Sequence, residues 1–374
     1  MANQTSPGLP SGDHLPLDLK SQGRLYMPLP TPFDLRQEIA RTPYAAETVN
    51  KGREDASAIL NGLDAGKRLL VIVGPCSIHE TTSAKDYCGR LLKQCRKHSD
   101  ELLIIMRCYV EKPRTTVGWK GLLNDPDING SFDIGKGLTM ARQLFLELAE
   151  EGIPLATEFV SDTAPLYLDD LLSFGAIGAR TVESQLHREL ASGLPFPVGL
   201  KNGTTGGLKT AIDAITATMQ SHHYLSTKPS GPPAVICTSG NPDSVLVLRG
   251  GAEGTNFDKE SILAAKTALA TAGLPERVVV DCSHGNSPGG HTDQLGVVED
   301  LAYQLSSGEE GIVGVLLESN IEEGKQEILW NDPGSLQYGV SITDTCIGWV
   351  DTERALQQLA EGVKSRRECL ATRR

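Results

Sequence analysis

Leu69-Leu70-Val71-Ile72-Val73 is an unbroken apolar, largely β-branched run, closed by Gly74-Pro75-Cys76. A run of this length and composition, bounded by Gly and Pro, reads as a strand buried on both faces. Similar runs recur at Leu103–Arg107, Pro154–Glu158, Ala176–Arg180, Val198–Lys201, Val245–Arg249, Val278–Asp281 and Ile312–Glu318. Longer segments of helical period separate them, which is the pattern of repeated βα units on a parallel sheet. Eight such units over roughly 250 residues predict an α/β fold closed as a (β/α)8 TIM barrel rather than an open sheet.

Outward from the barrel, residues 1–66 read as an N-terminal arm and helix, and residues 67–374 as the catalytic barrel. Through about Ala40 the chain is rich in Pro and Gly, most densely at Pro28-Leu29-Pro30-Thr31-Pro32, and is expected to be a largely extended arm. Ala45 to Leu63 has the period of an amphipathic helix. An arm with little core of its own is expected to pack on a neighbouring subunit or stay mobile. Tyr224–Thr238, with Pro229, Gly231, Pro232 and Pro233 between two apolar runs, predicts a β-hairpin inserted before strand six.

Composition excludes several classes. The 374 residues carry 35 Lys+Arg against 47 Asp+Glu, a net charge of −12, with 39% hydrophobic and 22% charged residues. This is the balance of a soluble globule. A net acidic chain does not offer the basic face that nucleic acid or an anionic membrane requires, so any phosphate binding must be local. The eight cysteines include no C-x-x-C pair, so the thiols are expected to stay reduced. With neither a secretory h-region nor a long apolar span, a cytoplasmic location is the expectation.

Barrel active sites form where the strands end. Here those ends are ionisable: Cys76, Arg107, Glu158, Arg180, Lys201, Arg249, His284 and Glu318. Arg107, Arg180, Lys201 and Arg249 would repel one another in one mouth unless an anion joined them, and Arg matches phosphate or carboxylate bidentately. Pairing with local carboxylates, the rule for surface cations, fits poorly at strand ends. Cys76, His284, Glu318 and Asp344 supply S, N and O donors suited to Mn, Fe, Co, Cu or Zn. Singly, each has a blander reading: Cys76 as a small buried hydrophobe, His284 as a satisfied core histidine. Cys282, His79 and His291 are read as bystanders. Lys112-Pro113-Arg114-Thr115, directly after strand two, has the make-up of a phosphate clamp, two cations around a Pro of fixed φ.

These residues resemble a known family, the class I 3-deoxy-D-arabino-heptulosonate 7-phosphate (DAHP) synthases, in their microbial aromatic-amino-acid-sensitive form. The resemblance is carried by Gly74-Pro75-Cys76-Ser77, Lys112-Pro113-Arg114-Thr115, Gly175-Ala176-Ile177-Gly178-Ala179-Arg180 and Lys201-Asn202-Gly203-Thr204, then by Leu248-Arg249-Gly250-Gly251, Asp281-Cys282-Ser283-His284 and Asp344-Thr345-Cys346-Ile347-Gly348-Trp349. It implies condensation of phosphoenolpyruvate with erythrose 4-phosphate, the first step of the shikimate pathway. It implies further that Arg107, Lys112, Arg180, Lys201 and Arg249 hold phosphoenolpyruvate, that Lys112, Pro113, Arg114 and Thr115 contact erythrose 4-phosphate, that Ala179 is a further substrate-binding residue, and that Cys76, His284, Glu318 and Asp344 ligate one divalent transition metal (Mn, Fe, Co or Zn). Lys112, Lys201, Glu158 and His284 are the catalytic candidates, with Glu158 and Lys201 orienting water. A homodimer or homotetramer is implied.

Leu166 after Pro165, and Pro195, depart from the common Gln and Ser at positions associated in the family with an aromatic amino-acid effector. Thr157 and Thr205 stand where Gly and Asp are common. The departures imply an active synthase with weak or altered feedback inhibition. Two other readings are a catalytically silent effector-binding paralogue and a 3-deoxy-manno-octulosonate 8-phosphate synthase. Retention of every ligand and cation argues against the first; Lys112-Pro113 in place of the Ala-Asn typical of the second argues against that one.

Overall fold

The computed structural model of the protein describes residues 26–330 and 332–373. Eight parallel strands close into a barrel in the order β1-β10-β9-β8-β5-β4-β3-β2. They are β1 Leu69–Gly74, β2 Leu102–Arg107, β3 Leu155–Glu158, β4 Phe174–Ile177, β5 Val198–Lys201, β8 Ser244–Leu248, β9 Val278–Asp281 and β10 Ile312–Glu318. β1 pairs with both β2 and β10, with Val71 opposite Ile104 on one side and Val315 on the other, so neither edge is left open. The remaining two strands, β6 His223–Thr227 and β7 Pro233–Cys237, form the inserted antiparallel hairpin before the sixth stave.

Two of the expected runs end early. β4 stops at Ile177 because Gly178 O accepts from the Thr181 and Val182 N–H groups at 3.0 and 2.9 Å, turning the chain before Arg180. β8 stops at Leu248, leaving Arg249 as the first residue past the stave. Both arginines thus stand on loops above the rim, with the freedom a strand position would deny them.

The barrel has two apolar layers. Inside, Leu70, Ile72, Ile105, Phe174, Val247 and Val279 interdigitate; outside, Leu69, Val71, Ile104, Leu200 and Val280 meet the helices. This division follows from the period of two along each strand. Helix α2, Pro43–Asn61, begins at Thr42, whose hydroxyl accepts from Ala45 N–H at 3.2 Å, and ends at Gly62 in the left-handed conformation. Its Ala56, Ile59 and Leu60 belong to the inner layer, so the helix plugs one end of the barrel.

The arm is not extended throughout. Pro32–Glu38 forms helix α1, with Pro at its first turn and Thr31 as its cap. This segment packs on its own chain: Phe33 N–H donates to Pro229 O at 2.9 Å, and Arg36 binds Asp169 at 2.6 Å. The earlier part of the expected arm lies outside the described residues.

Candidate active site

At the floor of the mouth, β2 delivers Arg107, which is 1% exposed. Its Nη2 donates to Glu318 Oε1 at 2.7 Å and to Cys76 O at 3.2 Å, its Nε to Pro75 O at 3.1 Å, and its guanidinium lies 3.5 Å from the Tyr109 ring centre. Burial would lower its pKa, but Tyr109 and Glu318 raise it, so the charge stays in place. The bond also fixes Glu318, held from behind by Gln294, whose Nε2 donates to Glu318 O and whose Oε1 accepts from Glu318 N–H.

Asp281, the last residue of β9, is the second anchor. Its Oδ2 accepts from Lys201 Nζ at 2.8 Å and lies 2.9 Å from His284 Nδ1, while Oδ1 accepts from Ser283 Oγ at 2.7 Å. Burial opposes its ionisation, yet the His284 ring and the Lys201 ammonium hold the carboxyl well below its usual range. Lys201 is raised in return, burial being outweighed by Asp281. His284 sits at φ 57°, a left-handed conformation costly for a residue with a Cβ. The strain turns its ring into the mouth. With Nδ1 engaged, Nε2 faces Glu318 Oε1 at 3.8 Å.

Cys76 Sγ, Glu318 and Asp344 offer donor atoms within 4.8 Å of one another. Cys76 is fully buried, and its thiol is pushed up to about 11 by burial and by Glu318 against the pull of Lys112. Lys112 Nζ lies 3.1 Å from Cys76 Sγ and 3.7 Å from Asp344 Oδ2. Asp344 is drawn down to about 2, Lys112 outweighing partial burial. The donors fit a divalent transition metal: the S and O atoms of Cys76, Glu318 and Asp344 converge, and beside them His284, carboxylate-backed as a metal-bound imidazole usually is, presents Nε2 3.8 Å from Glu318 Oε1.

Above this floor opens a cavity of about 570 Å³, lined by the clamp from Lys112 to Val117, by Glu158, Ala179, Arg180, Lys201 and Arg249, and by His284, Glu318 and Asp344. Arg180 is exposed and donates through Nε to Thr115 Oγ1 at 3.1 Å, tying the β4 loop to the clamp. Arg249 is half-buried; burial and nearby Arg180 lower its pKa against Asp281. Neither arginine has a salt bridge among the described residues. Arg114 is pinned by its Nε to Trp119 O at 2.8 Å. A side chain at Gly178 would collide with Glu158 Oε1, so glycine there lets the carboxylate lie against the backbone.

The geometry corrects the sequence reading at several points. Arg107 and Lys201 are paired with buried carboxylates, the arrangement expected not to fit strand ends; among the described residues Arg180 and Arg249, on loops, have no salt bridge. His291, read as a bystander, lines the cavity and bonds Thr345. Asp281 went unnoticed as a functional residue, although its place at the end of a strand, three residues before His284, was a usable signal. Pro165 and Leu166, on helix Ala164–Leu168, and Pro195, before β5, do not line this mouth. Pro195 borders a separate cavity of about 530 Å³ with Arg53 and Phe196, which neither Pro165 nor Leu166 reaches.

Residues 45–357 match the model of the DAHP synthetase I family. A phospho-2-dehydro-3-deoxyheptonate aldolase of Alternaria alternata is 51% identical over 345 residues, covering 92% of each chain. The phenylalanine-inhibited phospho-2-dehydro-3-deoxyheptonate aldolase of Saccharomyces cerevisiae is 50% identical over 351 residues, 92% of this chain and 94% of that one. The solved structure of phospho-2-dehydro-3-deoxyheptonate aldolase from Francisella tularensis SCHU S4 superposes with a TM-score of 0.89 at 44% identity, covering 92% of this chain and 99% of that chain.

Proposed function

The chain belongs to the DAHP synthetase I family, and from that membership we propose how its barrel mouth works. The reaction is the condensation of phosphoenolpyruvate with D-erythrose 4-phosphate and water, giving 3-deoxy-D-arabino-heptulosonate 7-phosphate and inorganic phosphate, the first step of aromatic amino-acid biosynthesis. One observation supports the site assignment: a single cavity holds cations without a salt bridge among the described residues beside a compact cluster of S and O donors, with His284 Nε2 3.8 Å from one of them.

Arg180, Arg249 and Lys201, with Ala179 beside them and Arg107 and Lys112 beneath, bind the phosphate and carboxylate of phosphoenolpyruvate. Lys112, Pro113, Arg114 and Thr115 bind the acceptor phosphate. The cations offset the repulsion between two phosphorylated substrates and hold the enol carbon near the aldehyde. Cys76, His284, Glu318 and Asp344 would hold one divalent transition metal (Mn, Fe, Co or Zn), which supplies Lewis-acid polarisation of the aldehyde oxygen when bound. Glu158, 6% exposed, orients the water that adds at carbon 2, and Lys201 keeps its proton on Nζ beside Asp281. The resulting hemiketal phosphate expels inorganic phosphate towards the arginines.

Phosphate release from phosphoenolpyruvate, assayed with and without erythrose 4-phosphate and with and without a chelator, tests this reading. Activity that needs both substrates, is lost on chelation and returns with Mn, Fe, Co or Zn supports it; a folded protein inert under all these conditions sinks it. We also infer that Pro165, Leu166 and Pro195 mark an effector region with weakened feedback. Micromolar inhibition by phenylalanine or tyrosine would refute that. A homodimer or homotetramer fits the exposed apolar Leu225 and Val235 of the hairpin, and sedimentation would test it. Among the described residues no helix is long and apolar enough to cross a membrane; a cytoplasmic setting fits the eight free cysteines.

A further inference from the structure

One stretch of the cavity lining has no role in the chemistry above. His291, Lys325 and Thr345 line the same cavity on the side of β9 and β10. Their backbone is well tied. Gly324 and Cys346 exchange both N–H···O bonds, at 2.8 and 3.1 Å, and Gln326 N–H donates to Ser341 O at 2.8 Å. Segment 324–326 is thereby zipped to the segment carrying Asp344 and Thr345. Side chains join the same wall: Thr345 Oγ1 and His291 Nδ1 are hydrogen-bonded at 2.8 Å, and His291 Nε2 lies 3.5 Å from Glu323 Oε2. Lys325 stands on this support with an ammonium that has no salt bridge or hydrogen bond among the described residues.

Position in the barrel indicates which substrate it meets. β10 lies four staves from β4, whose loop carries Arg180, but only two from β2, whose loop carries the Lys112–Thr115 clamp. Lys112 reaches across to Asp344 at 3.7 Å, so the β2 and β10 loops meet over the donor cluster. An acceptor with its aldehyde at that cluster and its phosphate at the Lys112 end of the clamp runs along the Lys325 side, whereas Arg180 meets the clamp at Thr115. Charge points the same way. Arg107, Lys112 and Lys201 share their charge with Glu318, Asp344 and Asp281, whereas Lys325 has no acidic partner among the described residues and its whole charge is open to an anion.

We propose that Lys325 is a further substrate-binding, specificity-determining residue, contacting the phosphate of the acceptor aldose from a wall that His291, Thr345 and Glu323 hold in place. The proposal rests on the synthase reading above. A lysine suits the task, since a point charge on a flexible stem can follow the end of a sugar phosphate. His291 is a positioning residue: it buttresses the wall through Thr345 and Glu323.

Steady-state kinetics on metal-loaded Lys325→Met, Lys325→Arg and His291→Phe test it, each substrate being varied in turn. The expected result is a KM for erythrose 4-phosphate raised about tenfold in Lys325→Met, the loss of one charge-assisted hydrogen bond, with the KM for phosphoenolpyruvate within about twofold of wild type. Lys325→Arg should recover most of the loss, and His291→Phe should show a smaller rise in the same constant alone. An unchanged acceptor KM in Lys325→Met, or a rise in the phosphoenolpyruvate KM instead, overturns the proposal while leaving the synthase intact. A wild-type protein inert with both substrates overturns the synthase reading itself, and this proposal with it.

Discussion

The floor and the rim of the mouth are built from the same residue types in opposite states. On the floor Arg107 and Lys201 are 1% and 2% exposed, and each is locked to a buried carboxylate at 2.7 or 2.8 Å. On the rim Arg180 and Arg249 stand on loops, without a salt bridge among the described residues. A buried charge is tolerable only when paired, so the floor must be complete before any substrate arrives. An exposed cation such as Arg180 is hydrated and costs little to leave alone, so its partner can be an incoming anion. The floor is therefore preorganised, and the rim keeps charge free for an anion.

Breaking the floor at the donor cluster should have the largest effect. Cys76→Ala removes the thiol of that cluster and is expected to lower kcat/KM by about a thousandfold or more, with loss of bound metal. Metal content and phosphate release measured on the same sample check this, and full metal retention would remove Cys76 from the ligand set. Next, Arg107→Met takes the guanidinium from the buried Glu318 carboxylate's ion pair, which should cost about 3–5 kcal/mol in denaturant unfolding of the apoprotein. A loss as small as that of a surface variant would mean that the floor is not preorganised by this pair.

At the rim the same kind of change should separate activity from stability. Arg180→Ala is expected to raise the KM for phosphoenolpyruvate about 10- to 100-fold while shifting unfolding by no more than about 0.5 kcal/mol. An equal loss of stability would erase the contrast between the two regions.

The smallest effect concerns Glu111, buried beside the clamp, whose carboxyl is pushed up to about 7 by burial although Ser161 and Val160 donate to it. The folded state holds this proton more tightly than the unfolded chain. Its contribution to stability is therefore greatest below about 4.5, declines as pH rises from there to about 7, and is flat above. Glu111→Gln should melt a few degrees above wild type at pH 8, the advantage shrinking towards pH 4.5. A pH-independent difference would place the effect in packing rather than in ionisation.

How far the site could be read in advance varied by residue. Cys76, Arg107, Glu158, Lys201, His284 and Glu318 were legible because a barrel strand ends in the mouth, so sequence position at a strand end is also position in space. Asp281 was passed over because its value lies in linking Lys201 and His284, 80 and 3 residues away. His291 and Lys325 sit beyond β9 and β10 in loops whose course no local pattern dictates. The arm was read as extended from its prolines, yet Pro32 opens helix α1, because proline at a helix start removes a donor that has no partner there anyway.

The sequence by itself determined the parallel barrel, its inserted hairpin and the residue types at its mouth, since these follow from hydrophobic period, turn residues and strand ends, all of them local. Only the tertiary structure decided which cations are neutralised and which stay free, and that His291, Thr345 and Lys325 share one wall. Those outcomes depend on distances between staves far apart in the chain, and pairing a charge is an energetic choice settled by burial and geometry rather than by residue type.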